Sequence, residues 1–440
     1  MKKVFPFFAL LLLFVSCETA NPEFQGDTAD PDYLHRSMQK LTDVIVHDIF
    51  SPPVASRNYV YPTIAAYEVM VNGTEGYNSL VGQLRDLEEI PAPKVDKEYC
   101  FPVAAIYAFT QAGKSFIFSE KKIEDYQKQL LVEWKAIKVP KDVLDRSLEY
   151  GDQVAQHILA WADGDMYKQT RTFPKYSVPE DPSKWQPTPP DYMSGIEPSW
   201  NKIRPMILDS AEQFVPPPPT TYDLDRNSKF FNETQEVYLA VKDAGPEETE
   251  IAQFWDCNPY VSHHKGHVMF ATKKITPGGH WIGITKIATK KLGLDFMQTL
   301  EGYTWVSISL FDAFISCWDE KYRSNLVRPE TVINQHIDED WLPLLQTPPF
   351  PEHTSGHSVI SSAASVALTE LYGDNFSFVD STEVAYGLPP RSFESFYEAS
   401  AEAAISRLYG GIHYRPAIDY GVDQGKKVGA LIVGRMKTKG

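Results

Sequence analysis

Three short stretches near the C-terminus carry the residues best suited to grip a small anion. The first is Lys321-Tyr-Arg-Ser-Asn-Leu-Val-Arg328-Pro329, where two cations seven positions apart would share roughly one helical face and reach a common ligand, with Pro329 blocking helical continuation. Taken alone, such a pair near a helix end equally well complements the helix dipole. The second is Pro351-Glu-His353-Thr354-Ser355-Gly356-His357, followed by an apolar and small-residue helix from Val359 to Leu371. A Ser-Gly step at a helix start offers unpaired N–H groups to an anion, and His357 in the first turn suits proton transfer near neutral pH. Ser355 as a plain helix cap is the alternative. The third is Ser406-Arg407-Leu-Tyr-Gly410-Gly411-Ile-His413-Tyr-Arg415-Pro416-Ala-Ile-Asp419, in which glycines turn the chain after a helix and His413 follows on an irregular segment. By itself it also reads as a glycine-rich helix end with a surface histidine.

The elements that must position these groups are mostly helical. Apolar residues recur at three- and four-residue intervals over 33–50, 57–72, 100–118, 120–137 and 142–163, and again over 228–243, 247–256, 281–300, 302–326, 356–372, 394–409 and 419–436. Alternating strand-type runs are scarce, so the expected fold is all-α. Twelve prolines between Pro174 and Pro219 interrupt the pattern and predict an irregular strap. The expected organisation is an N-terminal helical region over 30–173, a Pro-rich connection over 174–222 and a catalytic region over 223–440.

Lys2 and Lys3 precede an apolar run from Val4 to Val15 that ends in Ser16-Cys17. The run is too short to span a bilayer and reads as a secretory signal over 1–16. Its end resembles the lipobox of bacterial lipoproteins, with Phe14 where leucine is preferred; the resemblance implies lipidation of Cys17 and an exported protein tethered to the outer membrane, facing periplasm or cell surface. No later stretch is long and apolar enough to cross a membrane. Cys100, Cys257 and Cys317 lack metal-type spacing and read as packing residues, with one disulfide allowed in an oxidising compartment.

The formal charge is −16, which becomes −18 when Lys2 and Lys3 leave with the signal. No basic stripe exists for nucleic acid. An acidic protein that binds an anion must concentrate its cations locally, which gives the Lys321, Arg328 and Arg407 positions their weight. His263-His264-Lys-Gly-His267, with His280, Asp256 and Cys257 near in sequence, is a second cluster and a weak metal candidate.

In order and spacing the three stretches fit Lys-x6-Arg-Pro, Ser-Gly-His and Ser-Arg-x5-His. The chain thereby resembles the superfamily of vanadium-dependent haloperoxidases and type 2 phosphatidic acid phosphatases. The resemblance implies a four-helix-bundle core and a bound oxyanion neutralised by Lys321, Arg328 and Arg407, with Ser355 and the Gly356 N–H as hydrogen-bond donors. It implies that His413 binds vanadium of vanadate, or attacks phosphorus in a phosphatase that needs no cofactor, with His357 as acid/base partner. The phosphatase pattern puts an aspartate four residues after the nucleophile; here that position is Ala417, and Asp419 two further on is the candidate to orient His413.

Leu310-Phe-Asp312-Ala313-Phe-Ile-Ser-Cys-Trp318-Asp-Glu-Lys321 is similar to a helix of fungal chloroperoxidases in which the tryptophan lines the halide site. Phe350 matches a pocket phenylalanine there, where bromide-preferring algal relatives carry histidine; both residues equally suit core packing. His353 is a further candidate for the halide pocket. Ser51-Pro-Pro-Val-Ala-Ser-Arg57-Asn-Tyr59 and Pro277-Gly278-Gly279-His280-Trp281 look like bacterial haloperoxidase-like proteins. The expected function is halide oxidation by hydrogen peroxide with vanadate; hydrolysis of phosphomonoesters through a phosphohistidine and non-catalytic oxyanion binding are the alternatives. Partners are accordingly small molecules, and the oligomeric state is not legible.

Overall fold

The computed structural model describes residues 21–265, 268–271 and 273–440. The signal over 1–16 and Cys17 lie outside these residues. Among the described residues fifteen α-helices follow in order: α1 Phe24–Thr28, α2 Pro31–His47, α3 Pro52–Val71, α4 Phe101–Lys114, α5 Glu120–Ala136, α6 Lys141–Asp163, α7 Tyr167–Thr170, α8 Lys229–Lys242, α9 Pro246–Phe254, α10 Pro277–Leu292, α11 Phe296–Ser324, α12 Pro329–His336, α13 Gly356–Tyr372, α14 Phe396–Tyr409 and α15 Arg415–Arg435. Two small antiparallel hairpins, β1 Ser262–Lys265 with β2 Val268–Ala271 and β3 Phe378–Asp380 with β4 Arg391–Phe393, and two 3-10 turns, Trp200–Lys202 and Thr382–Tyr386, complete the described chain. The all-α expectation holds. Among the described residues no helix is long and apolar enough to cross a membrane.

Helix α11 is the axis of the molecule. It begins at a reciprocal cap, with Asp295 accepting from Gln298 N and the Gln298 side chain from Asp295 N. Nearly every residue from Phe296 to Lys321 is buried, because α3, α10 and α13 surround it. Apolar residues fill most of its faces, as burial on all sides requires, and among its buried charges Asp312 and Lys321 are each hydrogen-bonded. One apolar core runs from Phe24 through α3, α4 and α6 to α11 and on to Met436, so the halves before and after the strap share packing.

Two boundaries differ from the periodicity reading. The expected break between 300 and 302 falls instead at Gly293, whose φ of 62° closes α10 in the left-handed region that glycine enters freely. Pro329 does not simply end a helix; it opens α12 at its first position, where its missing N–H costs nothing. Consequently Lys321 and Arg328 do not share a helical face. Asn325 ends α11 with φ 51°, and Arg328 sits in extended backbone before α12.

The Pro-rich segment forms a strap with a single short 3-10 turn at Trp200–Lys202. It is pinned to α11 and its exit: Asp312 accepts from Met206, Ile207 and Leu208 N at 2.7, 2.8 and 2.9 Å. Trp185 N donates to Asn325 O, Val327 N to Ser183 O, and Ile196 N to Pro349 O. The irregular backbone is thus satisfied by partners outside itself.

The last pair of helices sets the cradle. Gly421, Gly425 and Gly429 of α15 lie on one face and let it approach α13 closely: a Cβ at Gly425 would stand 2.1 Å from Val359 O. The N-cap of α13 and the first turn of α15 are joined by Ser355 N donating to Ala417 O at 2.9 Å.

Candidate active site

The pocket lies where α11, α13, the 346–350 segment and the turn between α14 and α15 converge. His413, His357, Gly356 and Arg407 line its inner end, and Trp318, Phe350 and Phe314 its wall. Asn258 and Tyr260 border it from a loop that sequence reasoning missed. That loop is clipped to the 346–350 segment, with Asn258 Nδ2 donating to Gln346 O at 3.3 Å and Gln346 Nε2 to Tyr260 O at 3.0 Å.

His413 is 2% exposed and both ring nitrogens are engaged. Nδ1 lies 2.8 Å from Glu352 Oε1, which also accepts from Tyr414 N at 2.9 Å; Nε2 lies 3.1 Å from Arg328 Nη1. A guanidinium only donates, so Nε2 is the acceptor and Nδ1 carries the hydrogen. Burial, then Arg328, holds the imidazole well below its usual range, which keeps that lone pair free of a proton. Such a nitrogen is a ligand for an electrophilic centre or a nucleophile.

The carboxylate that meets His413 Nδ1 is thus Glu352, not Asp419. Asp419 is exposed on α15, where the helix opened by Arg415 and Pro416 carries it away from the pocket. Glu352 stood inside the Pro351-to-His357 stretch without a role; the one signal for it was a carboxylate in a segment bound for a cation-rich site. Burial pushes it up to about 7, against the downward pull of Arg328 and Lys321.

The three cations are each almost wholly buried and surround the His413 end. Arg328 donates Nε to Phe350 O at 2.9 Å and Nη1 to Ile412 O at 2.7 Å, while its Nη2 is buried with no partner. Arg407 donates Nη2 to Trp255 O at 2.8 Å and Nε to Ser406 Oγ at 2.9 Å. Burial brings both guanidinia down to about 10. Lys321 donates to the carbonyls of Pro351, Glu352 and Thr354 at 3.1, 3.1 and 2.6 Å, and burial brings it down to about 7. All three of its hydrogens are committed to the loop that carries Ser355, so toward an anion it acts as a fixed charge.

Ser355 caps α13, its Oγ accepting from Ser358 N at 3.3 Å. Gly356 faces Trp318 and the Lys321 stem, which a Cβ would meet at 3.7 and 4.0 Å. In the same first turn, His357 donates to the Trp255 carbonyl and leaves Nε2 buried without a partner; burial, then Arg407, holds it well below the usual imidazole range. Arg328 Nη2 is a donor without an acceptor and His357 Nε2 an acceptor without a donor, in a pocket where Lys321, Arg328 and Arg407 outnumber the carboxylates of Glu352 and Asp256. A tetrahedral oxyanion that carries a hydroxyl supplies acceptor, donor and negative charge, and the residues fit vanadate.

The halide candidates divide. Trp318 and Phe350 pack at 5.0 Å between ring centroids, and Phe350 lies under Lys321 and Arg328 at 4.9 and 5.0 Å. His353 does not reach this wall. Its Nε2 is 3.1 Å from Pro217 O and its ring meets Tyr420 edge-on, because its neighbours Glu352 and Thr354 are held inward by His413 and Lys321. Among the His-rich residues of 263–267, His263 and His264 pair through β1 with Phe270 and Met269, and His267 lies outside the described residues. Cys100, Cys257 and Cys317 are free and buried, as packing residues would be.

The model of the VCPO second helical-bundle domain matches residues 302–439. No curated protein matches significantly. The crystal structure of the first bacterial vanadium-dependent iodoperoxidase is 53% identical, with 93% of this chain and 98% of that chain covered and a TM-score of 0.89. A holo-type bacterial vanadium-dependent chloroperoxidase shares the fold at 17% identity, with 88% of this chain and 92% of that one covered and a TM-score of 0.69. Its apo-type counterpart does so at 16% identity and a TM-score of 0.66, over 87% and 93% of the two chains. With 53% identity over 93% of its length to a bacterial vanadium-dependent iodoperoxidase, and a cation cradle whose residues fit vanadate, the chain belongs to the vanadium-dependent haloperoxidases.

Proposed function

We propose that this enzyme binds vanadate at His413 and oxidises iodide with hydrogen peroxide. One observation carries the reading: an unprotonated His413 Nε2, fixed by Glu352, lies beside three buried cations, one of which, Arg328, has a buried Nη2 without an acceptor. Vanadate, when bound, supplies the Lewis acid that activates peroxide toward halide.

Arg328, Arg407 and Lys321 neutralise the oxyanion, and Arg328 Nη2 gains the acceptor it lacks. Ser355 Oγ and Gly356 N–H add hydrogen bonds at the α13 N-terminus, whose dipole favours negative charge. With the oxyanion bound, His357 Nε2, which keeps its lone pair and has no partner, would take a proton from incoming peroxide and return it to the hydroxyl that leaves as water. Trp318 and Phe350 keep a dry, polarisable wall beside the site, which suits a large, weakly hydrated halide such as iodide. Asn258, Gln346 and Tyr260, which line the pocket, are tied to one another by two hydrogen bonds, which holds that side of it in one shape. Export by the 1–16 signal and tethering at Cys17 complete the proposal; labelling with a palmitate analogue in cells, lost in Cys17→Ser, tests it.

The decisive assay gives the 18–440 chain vanadate, peroxide and iodide, bromide or chloride, with p-nitrophenyl phosphate hydrolysis in parallel. Vanadate-dependent iodide oxidation, abolished in His413→Ala, is expected. Phosphate release without halide oxidation refutes the reading.

A further inference from the structure

Behind the pocket wall stands a set of groups that the oxidation chemistry leaves unused. Cys257 Sγ is 3.4 Å from His280 Nδ1 and 3.7 Å from Glu383 Oε1, and Nδ1 is 3.1 Å from that same Oε1. They come from three separate elements: the segment after α9, the first turn of α10, and the 3-10 turn Thr382–Tyr386. All three residues are buried, and their candidate ligand atoms lie within 4.8 Å of one another.

Those separations have a specific meaning. Zinc takes thiolate at about 2.3 Å and imidazole or carboxylate at about 2.0–2.1 Å in tetrahedral array, so the edges of its ligand set run about 3.6 Å for S–N and S–O and about 3.3 Å for N–O. The observed edges of 3.4, 3.7 and 3.1 Å fall close to this pattern, with the long and short edges in the right places. Asp380 adds an independent feature: its Oδ2 lies 2.7 Å from His280 Nε2, and its Oδ1 is held by Thr382 N at 2.9 Å. A carboxylate on the far nitrogen is the device that orients a metal-bound histidine and raises its donor strength. It leaves Nδ1 as the lone-pair nitrogen, turned toward the sulfur and the second carboxylate. Trp255 stacks on the imidazole at 4.5 Å and 19°, and Phe254 meets it edge-on at 5.4 Å, a hydrophobic shell of the kind that shields a bound cation.

We propose that Cys257, His280 and Glu383 bind a divalent cation of the zinc class, a second metal site apart from the vanadate cradle. One thiolate, one imidazole and one carboxylate form a mixed soft and borderline set that suits zinc and leaves a fourth position for water. Cys257 also lines the vanadate pocket, one residue from the Asn258 clip, so the cation would tie this loop to α10. Without a metal, the same geometry would be a protonated His280 shared between Asp380 and Glu383, with the thiol a bystander.

The test is metal content of the full-length protein, incubated with zinc and desalted, with vanadium quantified in the same sample. About one zinc per chain is expected, falling at least about tenfold in Cys257→Ser and staying unchanged in Cys100→Ser, a buried thiol outside the cluster. Cobalt substitution of the unaltered protein is expected to give a thiolate-to-cobalt charge-transfer band. Zinc at background in the unaltered protein, full zinc in Cys257→Ser, or cobalt bound without that band each overturns the proposal. The wild-type measurements keep it refutable even if the serine variant folds poorly.

Discussion

The cation cradle predicts a distinctive pH dependence of stability before vanadate binds. Lys321 is brought from 10.5 to about 7 by burial in the folded chain. Below pH 7 both folded and unfolded chains carry the charge and the full cost of burying it is felt. Between about 7 and 10.5 the unfolded chain holds more protons than the folded one, so stability rises with pH over that window. At about 1.4 kcal/mol per pK unit the whole shift is worth on the order of 5 kcal/mol. With an unfolding entropy of roughly 2 cal/mol/K per residue, a chain of this length converts that to about 5 °C in Tm. The perturbation is Lys321→Met, which removes the titrating group, and the readout is Tm against pH from 7 to 10, with and without vanadate. The absolute Tm of the variant is uninformative, since three carbonyls lose their donor. The difference in slope is not. The vanadate-free native chain should gain a few degrees that Lys321→Met does not gain, and vanadate should flatten the native slope by restoring the ammonium. Equal slopes in the two proteins, or a native slope indifferent to vanadate, would refute the account of Lys321 as a desolvated charge awaiting its anion.

Further substitutions test single contacts. Glu352→Gln should weaken vanadate binding about 10- to 100-fold, the usual cost of losing a supporting partner of a metal-bound histidine; equilibrium dialysis showing unchanged affinity sinks the orienting role. Asp419→Asn should leave kcat/KM for iodide within about twofold, as expected of an exposed carboxylate away from any reacting group; a tenfold fall would restore it to the site. Phe350→Ala strips the ring from both Lys321 and Arg328, contacts worth about 1–2 kcal/mol when desolvated, so kcat/KM should fall about tenfold or more; an unaltered value would reduce Phe350 to packing. His353→Phe should lower Tm through the lost Pro217 contact without changing the iodide-to-bromide ratio, and a changed ratio would return His353 to the halide wall.

Much of this was legible because the chemistry is concentrated in contiguous motifs. Lys321, Arg328, His357, Arg407 and His413 could be named from spacing, since each stretch places its groups by local geometry. Glu352 could not, although it adjoins the second motif, because its partner His413 lies sixty-one residues away and only the tertiary fold aims it. Asp419 was a reasonable candidate by proximity in sequence, but the helix begun by Arg415 and Pro416 turns it outward. Helix existence was readable from periodicity, whereas the Gly293 break and the restart at Pro329 depended on capping signals that apolar spacing does not register. The loop with Cys257, Asn258 and Tyr260 has no periodic pattern, and its place beside the pocket is decided by partners in the 346–350 segment.

The seam of Gly421, Gly425 and Gly429 against α13 bears on how the two sides of the anion site stay in register. Both arms of the cradle hang from this one pair of helices, Ser355 to His357 at the head of α13 and His413 just ahead of α15. With α11 carrying Lys321, they form one packed unit inside the stretch that the family model matches, 302–439. A single methyl group placed in the seam would part the two arms while leaving every residue that grips the anion in the sequence.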